Sequence, residues 1–172
     1  KDEAPMLYNG ERLGSGSSPS VDIAVDPVEG TRLLALGMPN SIATVALAPK
    51  GTMFNPGPFV YMKKIAVGPE SRGVIDIEAS IEYNLRKVAK AKNIQINDLT
   101  AVVLDRPRHK DVIKEIRKCG ARIRLITDGD VAGAMMTAWE KSGIDILIGI
   151  GGTPEGVLAA CALRCMGGEI QG

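Results

Sequence analysis

The chain has 172 residues, enough for one ordinary domain or two small ones, with 45% apolar and 24% charged residues, a globular balance. A net charge of +1 sets up no field that would draw nucleic acid or an anionic membrane. Aromatics at 3% argue against base-stacking platforms, and no apolar run approaches the roughly 20 residues of a membrane span. Lys1-Asp2-Glu3-Ala4-Pro5 carries neither an initiator Met nor a signal-peptide pattern, and Cys119, Cys161 and Cys165 make no disulfide framework. Reduced thiols in a cytosolic protein are the expectation.

Residues 1–20 read as an irregular approach, ending in the polar surface run Gly14-Ser15-Gly16-Ser17-Ser18-Pro19-Ser20. Val21-Asp22-Ile23-Ala24-Val25 reads as a strand carrying the chain inward. Pro27 lacks a backbone donor and fixes φ, so the strand is expected to stop there. Gly30 permits a sharp turn. Asp26 and Glu29 then sit at a strand end and can converge on one point. Two such carboxylates repel unless a cation lies between them, and hard oxygen ligands suit Mg²⁺ or Mn²⁺. Thr31 adds a hydroxyl beside that cation, a set suited to metal-assisted attack on a phosphate ester. The plainer alternative is a turn with solvated acids.

Thr31 to Met38 then predicts a short helix ending at Gly37, and Ser41 to Ala48 a buried strand. Pro49-Lys50-Gly51 is a turn, with Thr52-Met53-Phe54-Asn55 expected as a paired strand closing a hairpin. The segment from Tyr61 to Val67 ends at Gly68-Pro69, and Tyr61 taken alone reads as a half-buried core residue. Residues 78–92 carry a helical pattern, with Ile81, Leu85, Val88 and Ala89 on one face, a solvated basic face opposite, and a stop at Asn93.

From residue 100 strands and helices alternate: 101–104, 109–118, 122–126, 130–140, 145–150 and 154–166. Three βα units in a row predict an α/β fold with a largely parallel sheet and packed helices. The chain thus divides into a mostly β part, residues 1–75, and an α/β part, residues 76–172. Ligands of such sheets lie beyond the carboxyl ends of the strands, so the three βα turns are the candidate site. The first holds Arg106-Pro107-Arg108-His109, whose arginine forks match phosphate. The second is Thr127-Asp128-Gly129-Asp130, with Asp130 read as a helix N-cap and Asp128 and Gly129 free to face the crevice. The third is Gly149-Ile150-Gly151-Gly152-Thr153-Pro154-Glu155-Gly156. Its glycines admit phosphate to the backbone, with Thr153 as N-cap and Pro154 at the first helical position. An acid at Glu155 makes sense there if a cation intervenes.

Asp26-Pro27-Val28-Glu29-Gly30-Thr31 resembles the metal-site motif of the class II, GlpX-type fructose-1,6-bisphosphatases, a branch of the inositol monophosphatase and sugar bisphosphatase superfamily. The likeness runs from Asp2-Glu3-Ala4-Pro5-Met6 to Gly151-Gly152-Thr153-Pro154-Glu155-Gly156. It implies a cytosolic, gluconeogenic phosphatase that removes the 1-phosphate of fructose 1,6-bisphosphate, dependent on Mn²⁺ or Mg²⁺, with a sugar bisphosphate as partner and a homodimer or homotetramer as assembly. It implies Asp26, Glu29 and Glu155 as metal ligands. Glu29, Gly30, Thr31, Tyr61, Arg106, Pro107, Arg108, Asp128, Gly129, Asp130 and Gly152 would contact substrate, and Thr31 would help activate the attacking water. His109 receives no role and is read as structural. Two further acidic ligands of the family, an aspartate and the glutamate of a G-E-G-E segment, belong upstream of Lys1, and Asp2 and Glu3 match residues after them. The chain is therefore expected to be about half of a family member. Alternatives left open are a phosphatase of sedoheptulose bisphosphate or an inositol phosphate, and a non-catalytic sugar-phosphate binding fragment.

Overall fold

The computed structural model describes residues 6–172; residues 1–5, and with them Asp2, Glu3 and the start of the irregular approach, lie outside the described residues. The central strands are the ones whose sequence is apolar on both faces. β4 (Thr100–Leu104) and β6 (Ile146–Gly152) are buried through most of their length and pair in parallel. β5 (Arg122–Ile126) pairs in parallel with β4 at the sheet edge, where the alternating Arg122 and Arg124 stay exposed. β3 (Tyr61–Val67) runs antiparallel to β6, and β7 (Glu169–Gln171) antiparallel to β3, giving the order β5-β4-β6-β3-β7. The parallel βα core is thus extended by two antiparallel strands, one of them from residues 61–67.

Helices cover both faces. α2 (Ile81–Lys92) begins where Ser80 Oγ accepts from Tyr83 N–H at 3.1 Å and ends where Asn93 turns left-handed at φ 54. α2 and α3 (Lys110–Lys118) bury Leu85, Val88, Ile113 and Ile116 against Ile65, Val67, Ala101 and Val103. α4 (Asp130–Met136) and α5 (Thr153–Met166) place Ala134, Ala159 and Leu163 against Ala66, Val102 and Leu147 on the other face. Alternation along β3 and β4 sends neighbouring residues into opposite layers.

The amino-terminal part departs from the sequence reading in several ways. β1 (Val21–Glu29) does not stop at Pro27. It pairs antiparallel with β2 (Ile42–Pro49), and a register irregularity between Asp26 and Glu29 absorbs the missing proline donor. Nor is either strand buried. Cross-strand neighbours Ile23 and Leu47, and Val25 and Val45, all face outward, and Val45 is 66% exposed. α5 packs on β1 and β2, which leaves this apolar face bare among the described residues. Residues 52–55 form no strand. Thr52 closes a turn by donating from N–H and Oγ1 to the Pro49 carbonyl, and β2 takes β1 as its partner instead. α1 (Thr31–Ala35) is shorter than expected and buries only Leu33. α4 ends at Met136 rather than 140.

Candidate active site

The acidic turn works as a device for burying one carboxylate. Asp26 Oδ1 accepts from Val28 N–H at 3.1 Å, bending the chain over Pro27. Gly30, at φ 80, then turns it into α1. Glu29 is left 3% exposed, with Oε1 accepting from Val131 N–H at 3.3 Å and Oε2 without a partner. Burial pushes the Glu29 carboxyl up to about 7. The Val131 N–H opposes that shift, and the charges of Asp130, Asp128 and Asp26 add to it. An orphaned buried oxygen of this kind costs about 1–3 kcal/mol. A proton or a hard cation relieves the cost, and an all-oxygen acidic surround fits Mg²⁺ or Mn²⁺. Among the described residues no three His, Cys, Asp or Glu side chains are already gathered as a metal cage.

The second βα turn closes over Glu29. Gly129 has φ 85, and a Cβ there would lie 3.3 Å from Glu29 Oε2, so both backbone and space call for glycine. Asp128 links two turns: Oδ2 accepts from Arg32 N–H at 3.2 Å, and Oδ1 faces Arg106 Nη2 at 3.5 Å. Gly129, not Asp130, is the N-cap of α4. Asp130 is drawn away from capping by a stronger partner, the Lys64 ammonium at 2.7 Å, in a pair buried on both sides. Asp130 lies over Gly151, where any Cβ would overlap its carboxylate.

The first and third turns meet at β6. Pro107 opens a 3-10 turn, Pro107–His109. Arg108 Nε and Nη2 both donate to the Ile150 carbonyl, at 3.0 and 2.9 Å, and its guanidinium lies 5.3 Å from the Tyr61 ring centroid. Tyr61 is not a half-buried core residue: it is 62% exposed and stands opposite Gly152 in the β3–β6 register. Gly152 caps α5 in place of Thr153, whose Oγ1 is buried without a partner while its N–H donates to Val60 O at 2.9 Å. Glu155, in the first turn of α5, folds against Gly152, where a Cβ would overlap its carboxylate.

Glu29 is thus brought together with Asp26, Asp128, Gly129 and Asp130, Arg106 with Asp128, and Tyr61 with Arg108 and Gly152. Gly30 and Thr31 follow Glu29 directly, with Thr31 exposed at the head of α1. Glu155 stands at Gly152, and the acids acting most strongly on Glu29 are the other three. Sequence reasoning missed Lys64. The signal was present, because Lys64 shares the parity of Ala66 on β3 and so points into the layer of α4 and α5.

The family described as bacterial fructose-1,6-bisphosphatase, glpX-encoded, matches residues 1–172. Proteins named D-fructose 1,6-bisphosphatase class 2/sedoheptulose 1,7-bisphosphatase from Prochlorococcus marinus strains MIT 9312 and AS9601 are each 49% identical to the chain over 172 residues, covering 100% of it and 51% of their own length. The protein of that name from strain MIT 9301 is 48% identical over the same span. The chain spans about half the length of these curated relatives. With its acidic turn, arginine turn and glycine-rich turn all in place, the chain belongs to the GlpX family of bacterial fructose-1,6-bisphosphatases.

Proposed function

We propose that the protein containing this chain removes the 1-phosphate of fructose 1,6-bisphosphate, yielding fructose 6-phosphate and inorganic phosphate, a gluconeogenic step in the cytosol. The observation that carries the reading is Glu29: a buried carboxylate with one unpartnered oxygen, ringed by acids, beside an arginine-bearing turn. Glu29 and Asp26 would hold a divalent cation, with Glu155 as a third ligand. Bound Mg²⁺ or Mn²⁺ would neutralise phosphate oxygens and acidify a water molecule.

The chain's own groups do the positioning. Arg108 spends two N–H donors on Ile150, which leaves the rest of its fork for a phosphate. Arg106 adds a second cation, held toward the crevice by Asp128. Asp128 and Asp130 can accept from sugar hydroxyls, Gly152 lets the Glu155 carboxylate lie against the backbone, and the Thr31 hydroxyl orients the attacking water. The assembly proposed is a homodimer or homotetramer. Because the relatives' names pair two sugar bisphosphates, sedoheptulose 1,7-bisphosphate is the second substrate to try.

The test is inorganic phosphate release from both bisphosphates by the full-length protein with Mn²⁺ and with Mg²⁺, beside its Asp26→Asn variant. We expect release from wild type and a loss of about a hundredfold or more in the variant, the scale of removing a charge that acts in the transition state. Equal rates for variant and wild type, or an inert wild type, would overturn the reading.

A further inference from the structure

The ladder between β4 and β6 ends at the Val102–Leu147 pair. Beyond it the N–H and C=O of Ile150 have no strand on that side, and unpaired backbone groups in a half-buried position are costly. Two consecutive residues of the first βα turn fill the gap. His109 Nε2 lies 2.7 Å from Ile150 N, and Arg108 holds Ile150 O with two donors. The other imidazole nitrogen, Nδ1, lies 2.7 Å from Leu104 O. A carbonyl can only accept and an amide N–H can only donate, so the proton sits on Nδ1 and Nε2 is bare. The ring is 0% exposed and flush with β6: a Cβ at Gly149 would lie 3.1 Å from Nε2.

We infer that His109 is a positioning residue. Its neutral imidazole stands in for a missing strand, fixes the Ile150 peptide, and through it aims the Arg108 guanidinium and the Gly151-Gly152 backbone at the ligand's phosphate. A histidine kept only for packing would need neither bond. Here both ring nitrogens are spent on the two turns that meet at the site, and the residue gripping the other half of Ile150 is the phosphate-facing arginine itself. The inference rests on the phosphatase reading.

The experiment uses the full-length protein and the variants His109→Gln, His109→Asn and Arg108→Ala. A Gln amide reaches the place of Nε2 and can accept from Ile150 N–H, whereas Asn reaches only the Nδ1 side. We expect His109→Asn to raise KM about tenfold with kcat nearly kept, the scale of one lost backbone hydrogen bond at the grip. We expect His109→Gln to restore the wild-type KM, and the His109→Asn effect to vanish in an Arg108→Ala background. A KM loss that adds fully to that of Arg108→Ala, or a melting-temperature loss with unchanged KM, would overturn the inference. If wild type releases no phosphate, the functional reading has failed, and the positioning is then read from ¹⁵N spectra alone. An Arg108 Nε signal displaced in His109→Asn and restored in His109→Gln supports it. An Arg108 Nε signal indifferent to both variants overturns it.

Discussion

The five-stranded sheet and the β1–β2 hairpin are written in similar letters and end in opposite environments. Val102 and Val103 on β4 are sealed between helices on both faces, whereas Val25 on β1 and Val45 on β2 look outward. The difference lies in what is available to cover them. α2 and α3 on one face and α4 and α5 on the other cover the middle strands of the sheet, while among the described residues α5 makes the main helical packing on the hairpin and leaves its outer face bare. The two regions meet at the site with different duties. The sheet holds the arginine, Asp-Gly-Asp and glycine-rich turns at fixed spacing. The hairpin delivers Asp26 and Glu29 to them over a bulge. A rigid frame therefore fixes the three turns, and a lightly covered ribbon supplies the acids.

The largest expected effect separates the two regions by stability. Leu85 is fully buried between α2 and the sheet, so Leu85→Ala should cost about 3 kcal/mol, from lost burial plus the cavity left behind. Val45→Ala on the exposed hairpin face should cost about 0.5 kcal/mol or less. Urea unfolding of both variants decides the matter. A loss at Val45 approaching that at Leu85 would show that the outer face is covered in the protein studied.

The α/β half was legible because its signals agree. Leu85, Val88 and Ala89 keep helical spacing, Asn93 ends the helix, and β4 and β6 are continuous apolar runs of strand length. The hairpin was misjudged because an apolar β-branched run reports strand character and says nothing about which layer will cover it. Pro27 lacks a donor and fixes φ, which argues for a strand end, yet a bulge lets the chain run on to Glu29. At the site, residue types at turn positions pointed to turns that the fold does bring together. What they could not show was how those groups spend their bonds. Asp130 prefers a buried ammonium to capping its helix, and His109 fills a gap in a sheet ladder. Both depend on residues far apart in the chain.

A second test sharpens what the hairpin brings to the frame. The Glu29 carboxyl stands at about 7 in the folded chain against an ordinary 4.5. At pH values below 4.5 it is protonated in both folded and unfolded states and carries no penalty. Between 4.5 and about 7 the unfolded chain gives up the proton while the folded chain keeps it, so stability falls as pH rises through that window. Above it the loss is complete. Glu29→Gln removes the loss: without metal, the variant should melt higher than wild type at about pH 8 and match it at about pH 4. Adding Mn²⁺ at the higher pH should raise the wild type and leave the variant unmoved. A wild type that gains nothing from Mn²⁺ would remove Glu29 from the ligand set.

The smallest effect concerns the seam where β3 meets the arginine turn. Arg108 lies over the face of Tyr61 at 5.3 Å, and an exposed cation–π contact is worth about 0.5–1 kcal/mol. Tyr61→Leu should therefore raise KM for the bisphosphate about two- to fivefold, with no change in unfolding free energy beyond that of an exposed site. Tyr61→Phe divides the contribution. Phe keeps the aromatic face under the guanidinium and removes only the hydroxyl. A wild-type KM in Tyr61→Phe assigns the effect to ring support of Arg108. A KM as high as that of Tyr61→Leu assigns it to a hydroxyl contact with the sugar phosphate, and then the frame grips its ligand through β3 as well as through its turns.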